Sequence, residues 1–186
     1  MIIVVSGLPR SGTSMMMKML EATNITILTD KIREADEDNI EGYYEDERTK
    51  TLHKDNSWIS DAEGKAVKVI SYQLPHLPPN HHYSIIFMER KIEEVLASQR
   101  KMMDRIGEPQ NDVSDKVMSS IFKKHLNEVY SWLKKQHNIK TLYVSYNETL
   151  NDPETTAEKI EKFLQRNLNV EKMMHVVNPK LYRQRK

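Results

Sequence analysis

Four short apolar runs interrupt an otherwise polar chain, at residues 2–5, 66–70, 84–88 and 141–144. They are rich in β-branched residues and do not alternate strictly with polar positions, which is the pattern of strands buried on both faces of a mostly parallel sheet. Residues 25–28 form a weaker candidate for a further strand. Helical spacing of apolar positions marks the segments between them, at 13–22, 44–54, 92–104, 114–136 and 153–166. The last of these has clear start signals: Asp152 can cap, Pro153 suits the first helical position, and Glu154 faces the positive end of the helix dipole. Its apolar positions Ile160, Phe163, Leu164 and Leu168 form a core face. Residues 75–82, with Pro75, Pro78 and Pro79, read as a rigid loop. Strands alternating with helices predict an α/β fold of three layers, a mostly parallel sheet flanked by helices.

The chain has 186 residues, a length that suits one domain over residues 1–186 with a real core. Lys and Arg total 28 against 27 Asp and Glu, so no global field directs the chain toward nucleic acid, and partners must be read from local clusters. There is no cysteine, which excludes a disulfide framework, thiolate metal sites and a thiol nucleophile. The apolar run at the N-terminus is four residues long with no basic stretch before it, so it predicts a first strand rather than a leader. No apolar run approaches the length of a membrane span. The expectation is a soluble, cytoplasmic protein with no membrane partner.

The chemistry begins at "SGLPRSGTS", residues 6–14, directly after the first strand. A strand, Gly7-x4-Gly12, two hydroxyl residues and a helix set backbone N–H groups and a helix N-terminus around an anion. An ATP-binding loop places lysine after the second glycine, to reach the β- and γ-phosphates, followed by a hydroxyl that holds magnesium. Here Thr13 stands at the lysine position and the cation, Arg10, lies earlier in the loop. The pattern predicts a phosphate-binding loop better suited to something other than magnesium and a triphosphate; an ordinary glycine- and serine-rich strand-to-helix turn is the other reading.

"LPRSGTS" resembles the 5′-phosphosulfate-binding loop of the sulfotransferases, usually a proline, a lysine or arginine, then SGTT or SGTS. The same family carries, at the end of a later strand, an arginine followed eight positions on by a serine, and "IIFMERKIEEVLASQRK" supplies Arg90 and Ser98. The resemblance implies a P-loop NTPase-like fold and transfer of a sulfuryl group from 3′-phosphoadenosine-5′-phosphosulfate (PAPS), without a metal. It implies donor contacts from Arg10, Ser11, Gly12, Thr13 and Ser14, and 3′-phosphate contacts from Arg90 and Ser98. An arginine fork and a directed hydroxyl suit such a phosphate; a strand-end arginine paired with Glu89, Glu93 or Glu94 is the other reading. "LYVSYNETLNDPETTAEKIEKFL" resembles a further family block that would place Tyr146 near the adenine; a core tyrosine at a strand end is the other reading. Arg183, Arg185 and Lys186 either close over the 3′-phosphate or form a solvated tail.

Sulfuryl transfer needs cations at the leaving phosphate and the sulfuryl oxygens, and a base for the acceptor proton. Arg10 is the candidate for the leaving group, assisted by Thr13 and Ser14. Many cytosolic members of the family carry Lys-x-His after the second core strand, the histidine acting as base. Here Lys68 keeps the lysine, but Ile70 stands at the histidine position and cannot take a proton. His76, in the proline-rich loop, is expected to be structural. Carbohydrate- and tyrosine-directed members use a glutamate, for which Glu34 is the nearest fit, with Asp36 and Glu37 as rivals in a run that also reads as a solvated helix face. Tyr43 and Tyr44 either wall an acceptor pocket or lead into a packed helix. The acceptor is expected to be a small molecule or carbohydrate bearing a hydroxyl or amine, gripped near the acidic segment, Lys68 and residues 105–113. The adjacent His81 and His82 point to opposite faces of an extended segment, and His53 with Asp55 lacks companions, so no metal site is expected. Met15, Met16, Met17 and Met19, at helix spacing, read as core packing. The competing readings are a nucleotide kinase or NTPase, with Glu89 as its magnesium-binding acid, and an inactive nucleotide-binding homologue.

Overall fold

The computed structural model describes residues 1–30, 32, 42–107 and 113–178. Five parallel strands form one sheet in the order β2-β3-β1-β4-β5: β1 (Ile2–Gly7), β2 (Ile27–Leu28), β3 (Ala66–Lys68), β4 (Tyr83–Glu89) and β5 (Ile139–Ser145). β1 is central, and all six of its residues are buried. Val4 lies beside Val67 on one side and Ile85 on the other, and Val5 beside Lys68 and Ile86. This register brings the carboxyl ends of β1, β3 and β4 together, and the loop that follows β1 stands among them.

Successive residues of β1 face opposite layers. Ile3 and Val5 pack with α1 (Thr13–Glu21), α5 (Pro153–Leu164) and α6 (Val170–Val176). Ile2 and Val4 pack with three 3₁₀ turns, Glu47–Thr51, Ser57–Ala62 and Ser71–His76, and with the far half of α3 (Asp115–Leu133). The methionine stripe is core as expected, with Met16, Met17 and Met19 at 0% exposure. Burying each large apolar side chain contributes roughly 1.5–3 kcal/mol, so the continuous apolar strands are the main source of cohesion. α2 (Ile92–Ile106) follows β4, and α4 (Tyr146–Asn151) follows β5 without a loop. Among the described residues no helix is long and apolar enough to cross a membrane.

One predicted helix does not form. Residues 44–54 yield only the 3₁₀ turn Glu47–Thr51, because Tyr44 takes a left-handed φ of 52° and Asp46 starts a new turn, its carboxylate accepting from the Arg48 N–H at 3.1 Å. The Tyr44 hydroxyl instead donates to Glu21 at 2.7 Å, tying this segment to α1. Part of the proline-rich stretch also tightens into a turn, Ser71–His76, which includes Pro75. The short helices α4 and α6 were not anticipated; each starts at a side-chain cap, Ser145 and Asn169.

Candidate functional site

The loop between β1 and α1 is built by three residues with positive φ: Gly7 at 145°, Arg10 at 73° and Gly12 at 98°. At both glycines the space is taken. A Cβ on Gly7 would lie 2.5 Å from Ser11 Oγ and 2.6 Å from the Met88 carbonyl; one on Gly12 would lie 2.4 Å from the Tyr146 ring. Gly12 occupies the cap position of α1 and offers no side chain to its first N–H groups, which leaves them for an anion. The Ser11 hydroxyl is buried and has no hydrogen-bond partner among the described residues. An orphaned donor beside an uncapped helix start fits a phosphate group.

Arg10, Arg90 and Ser98 meet here. Arg10 Nε donates to Ser98 Oγ at 3.0 Å, and Arg90 Nη1 donates to the Arg10 carbonyl at 3.1 Å. β4 ends at Glu89, so Arg90 emerges at the carboxyl end of the sheet, and Ser98 lies nearly two turns into α2. Arg90 is fixed on two further sides. Its Nε donates to Glu94 at 2.9 Å, and its guanidinium stands 4.4 Å over the Tyr146 ring. Glu94 is fully buried and also accepts from Asn147 Nδ2 at 3.0 Å. Tyr146, the first residue of α4, therefore packs against the loop as well as the core. Burial raises its phenol pKa, with Arg90 acting against that shift, Glu94 adding to it and Arg10 opposing it.

A second group forms at the end of β3. Lys68, 6% exposed, donates from Nζ to the Tyr43 carbonyl at 2.6 Å and to Glu45 Oε1 at 3.0 Å. Ser14 Oγ, in the first turn of α1, donates to the same Tyr43 carbonyl at 3.3 Å. One backbone oxygen thus bridges the phosphate loop and Lys68, and Glu45 stands beside Lys68. Glu45 also lies 3.6 Å from Lys50 Nζ. Tyr43 is buried, and its ring is 5.9 Å from the Lys68 ammonium.

The remaining candidates separate cleanly. Glu34, Asp36 and Glu37 lie outside the described residues, as do Arg183, Arg185 and Lys186. His76 is exposed, its ring 5.8 Å from His53. Glu89 accepts from the Tyr130 hydroxyl at 2.7 Å and faces a cavity of about 650 Å³ between β4, α2 and α3, which Ser11 and Arg90 also line. Among the described residues no three His, Asp or Glu side chains gather as a metal-binding group. Sequence reasoning missed Asn147 and Glu45, which depend on chain reversals that no local pattern encodes. Glu94 was among the three acids it offered as partners for Arg90, and it is the one that pairs.

Known proteins agree with this architecture. A family model described as "Sulfotransferase domain" matches residues 2–183. No curated protein matches the chain in sequence. Among solved structures, a sulfotransferase domain from the curacin biosynthetic pathway aligns with a TM-score of 0.57 at 14% identity, over 95% of this chain and 77% of that one. A mouse sulfotransferase complexed with PAP aligns at 0.56 and 18% identity, over 95% of this chain and 64% of that one. Retinol dehydratase in complex with androsterone and the inactive cofactor PAP aligns at 0.54 and 17% identity, over 97% and 63%. The chain thus spans less than two thirds of the last two, and at these identities the likeness is one of fold.

Proposed function

The chain belongs to the sulfotransferase domain family, and from that premise we propose that it transfers a sulfuryl group from PAPS to a hydroxyl or amine of a small-molecule or carbohydrate acceptor. The observation that carries this reading is the junction of Arg10, Arg90 and Ser98 at the phosphate loop. Two of the structural neighbours were crystallised with PAP, the desulfated form of that donor, which supports the choice. In this reading the α1 N-terminus with Ser11, Gly12, Thr13 and Ser14 holds the donor's 5′-phosphate. Arg90 and Ser98 hold its 3′-phosphate, and Tyr146 walls the nucleotide side. The Arg10 guanidinium neutralises charge on the bridging oxygen as the sulfur–oxygen bond breaks, and Lys68 faces the sulfuryl oxygens. Preorganised cations of this kind act where charge develops in the transition state.

The acceptor proton needs a base near Lys68. Glu34 is the sequence candidate and lies outside the described residues; Glu45 is a carboxylate that accepts from Lys68, and we assign the role to it. Thermal stabilisation separates this function from a kinase or NTPase. Adenosine 3′,5′-bisphosphate at about a hundred times its Kd should stabilise the protein by roughly 2.7 kcal/mol, with no magnesium required. A larger stabilisation by ATP with magnesium would overturn the proposal.

A further inference from the structure

Glu94 is a fully buried carboxylate that accepts from both the Arg90 guanidinium and the Asn147 amide. It accepts from Arg90 Nε at 2.9 Å and from Asn147 Nδ2 at 3.0 and 3.3 Å, and the Arg90 side chain is only 7% exposed. On the reading given above, Arg90 is also the cation that meets the donor's 3′-phosphate. The same guanidinium then serves two anions, one built into the protein and one carried by the ligand. Both PAPS and the bisphosphate product bear that 3′-phosphate, so whatever strengthens its grip on the donor also delays release of the product.

We propose that Glu94 is a built-in counter-anion that holds down affinity for the 3′-phosphate and so sets the rate at which the bisphosphate product leaves. This inference rests on the sulfotransferase reading. A buried arginine without a partner is strongly unfavourable, so an anion at Glu94 keeps Arg90 charged and in place when no ligand is bound. Once the phosphate binds, the two anions oppose each other across one guanidinium. Anions on two edges of a guanidinium sit about 6–7 Å apart, close enough at a protein-like dielectric to change affinity by about tenfold or more. Orientation works in the opposite direction, since losing the anchor would let Arg90 swing. Gln at this position keeps the length and an amide oxygen for Arg90 Nε, and the Asn147 amide can turn to match its new partner. The substitution Glu94→Gln therefore removes the charge and leaves most of the anchor.

The test compares adenosine 3′,5′-bisphosphate with adenosine 5′-monophosphate, which lacks the 3′-phosphate, by calorimetry on the wild-type protein and Glu94→Gln. The expected result is an affinity for the bisphosphate about tenfold higher in the variant, with the monophosphate changed by less than twofold. Product inhibition by the bisphosphate should tighten in parallel. Weaker bisphosphate binding, or equal shifts for both nucleotides, would show that Glu94 only anchors Arg90 and would overturn the proposal. If the variant fails to fold alone, refolding it with each nucleotide gives the same decision. Rescue by the bisphosphate and not by the monophosphate supports the counter-anion, and rescue by both or neither overturns it. A wild-type protein that binds the two nucleotides equally would instead refute the 3′-phosphate reading itself, and the counter-anion with it.

Discussion

Gly12→Ala tests whether the loop is shaped by local backbone demands and by Tyr146 together. Gly12 sits at φ 98°, where an L side chain is strained, and an added Cβ would lie 2.4 Å from Tyr146 Cδ2 and 3.0 Å from Cε2. The conformational part should cost about 1–2 kcal/mol. The steric part adds about 1–3 kcal/mol, because Tyr146 is itself held by Arg90 and the core and has little room to retreat. The natural control is Gly64→Ala: its φ is 74°, but nothing lies within 4 Å of the added Cβ, so it carries the conformational cost alone. Urea unfolding of the two variants should therefore differ by about 1–3 kcal/mol, with Gly12→Ala the less stable. Gly12→Ala should also lose bisphosphate binding, while Gly64→Ala keeps it. Equal destabilisation by the two substitutions would refute the claim that Tyr146 closes the loop from behind.

Arg10→Ala should lower turnover of PAPS by about 10²–10³-fold while weakening bisphosphate binding far less, as expected for a cation that acts on the leaving group. A loss confined to binding would remove that role. Glu45→Gln should cost about 10²–10⁴-fold in kcat while leaving bisphosphate binding nearly unchanged. An unchanged kcat would return the base to the acidic residues around Glu34. His125, stacked on Tyr72 with ring centroids 3.8 Å apart and 2.9 Å from Ser71 Oγ, has its pKa lowered by burial, with Glu128 opposing. The unfolded chain takes up this proton more readily, so the contribution is complete above about pH 6.5 and is lost as pH falls through the lower folded value. Urea midpoints at pH 8 and pH 5 should accordingly fall further in the wild type than in His125→Gln, and parallel falls would refute the assignment.

Some of this protein was readable from residue order alone, and the reason is that those features are local. Parallel strands buried on both faces leave unbroken apolar runs, and β1, β3 and β4 lie where such runs predict them; β5 also lies at its run but is the edge strand, with Val144 its one buried residue. The phosphate loop is likewise written in one contiguous stretch, and Arg90 and Ser98 are separated by a fixed helical distance. The helix over residues 44–54 was misread because apolar spacing ignores what a carboxylate can do to its own backbone: Asp46 caps a turn two residues in, and Tyr44 has already turned left-handed.

The candidate site shows the same division more sharply. Its cations are encoded in motifs, but their partners are not. Lys68 acquires Glu45 and the Tyr43 carbonyl from a segment about 25 positions earlier, and Arg90 acquires Tyr146 and, through Glu94, Asn147 from more than 50 positions later. These partners decide which charges are neutralised before a ligand arrives. A loop with Arg10, Arg90 and Lys68 read from sequence alone is a strongly cationic cradle. With Glu94 and Glu45 in place, Arg90 and Lys68 each already carry a carboxylate, so on the proposed reading donor affinity depends on these anions as well as on the cations.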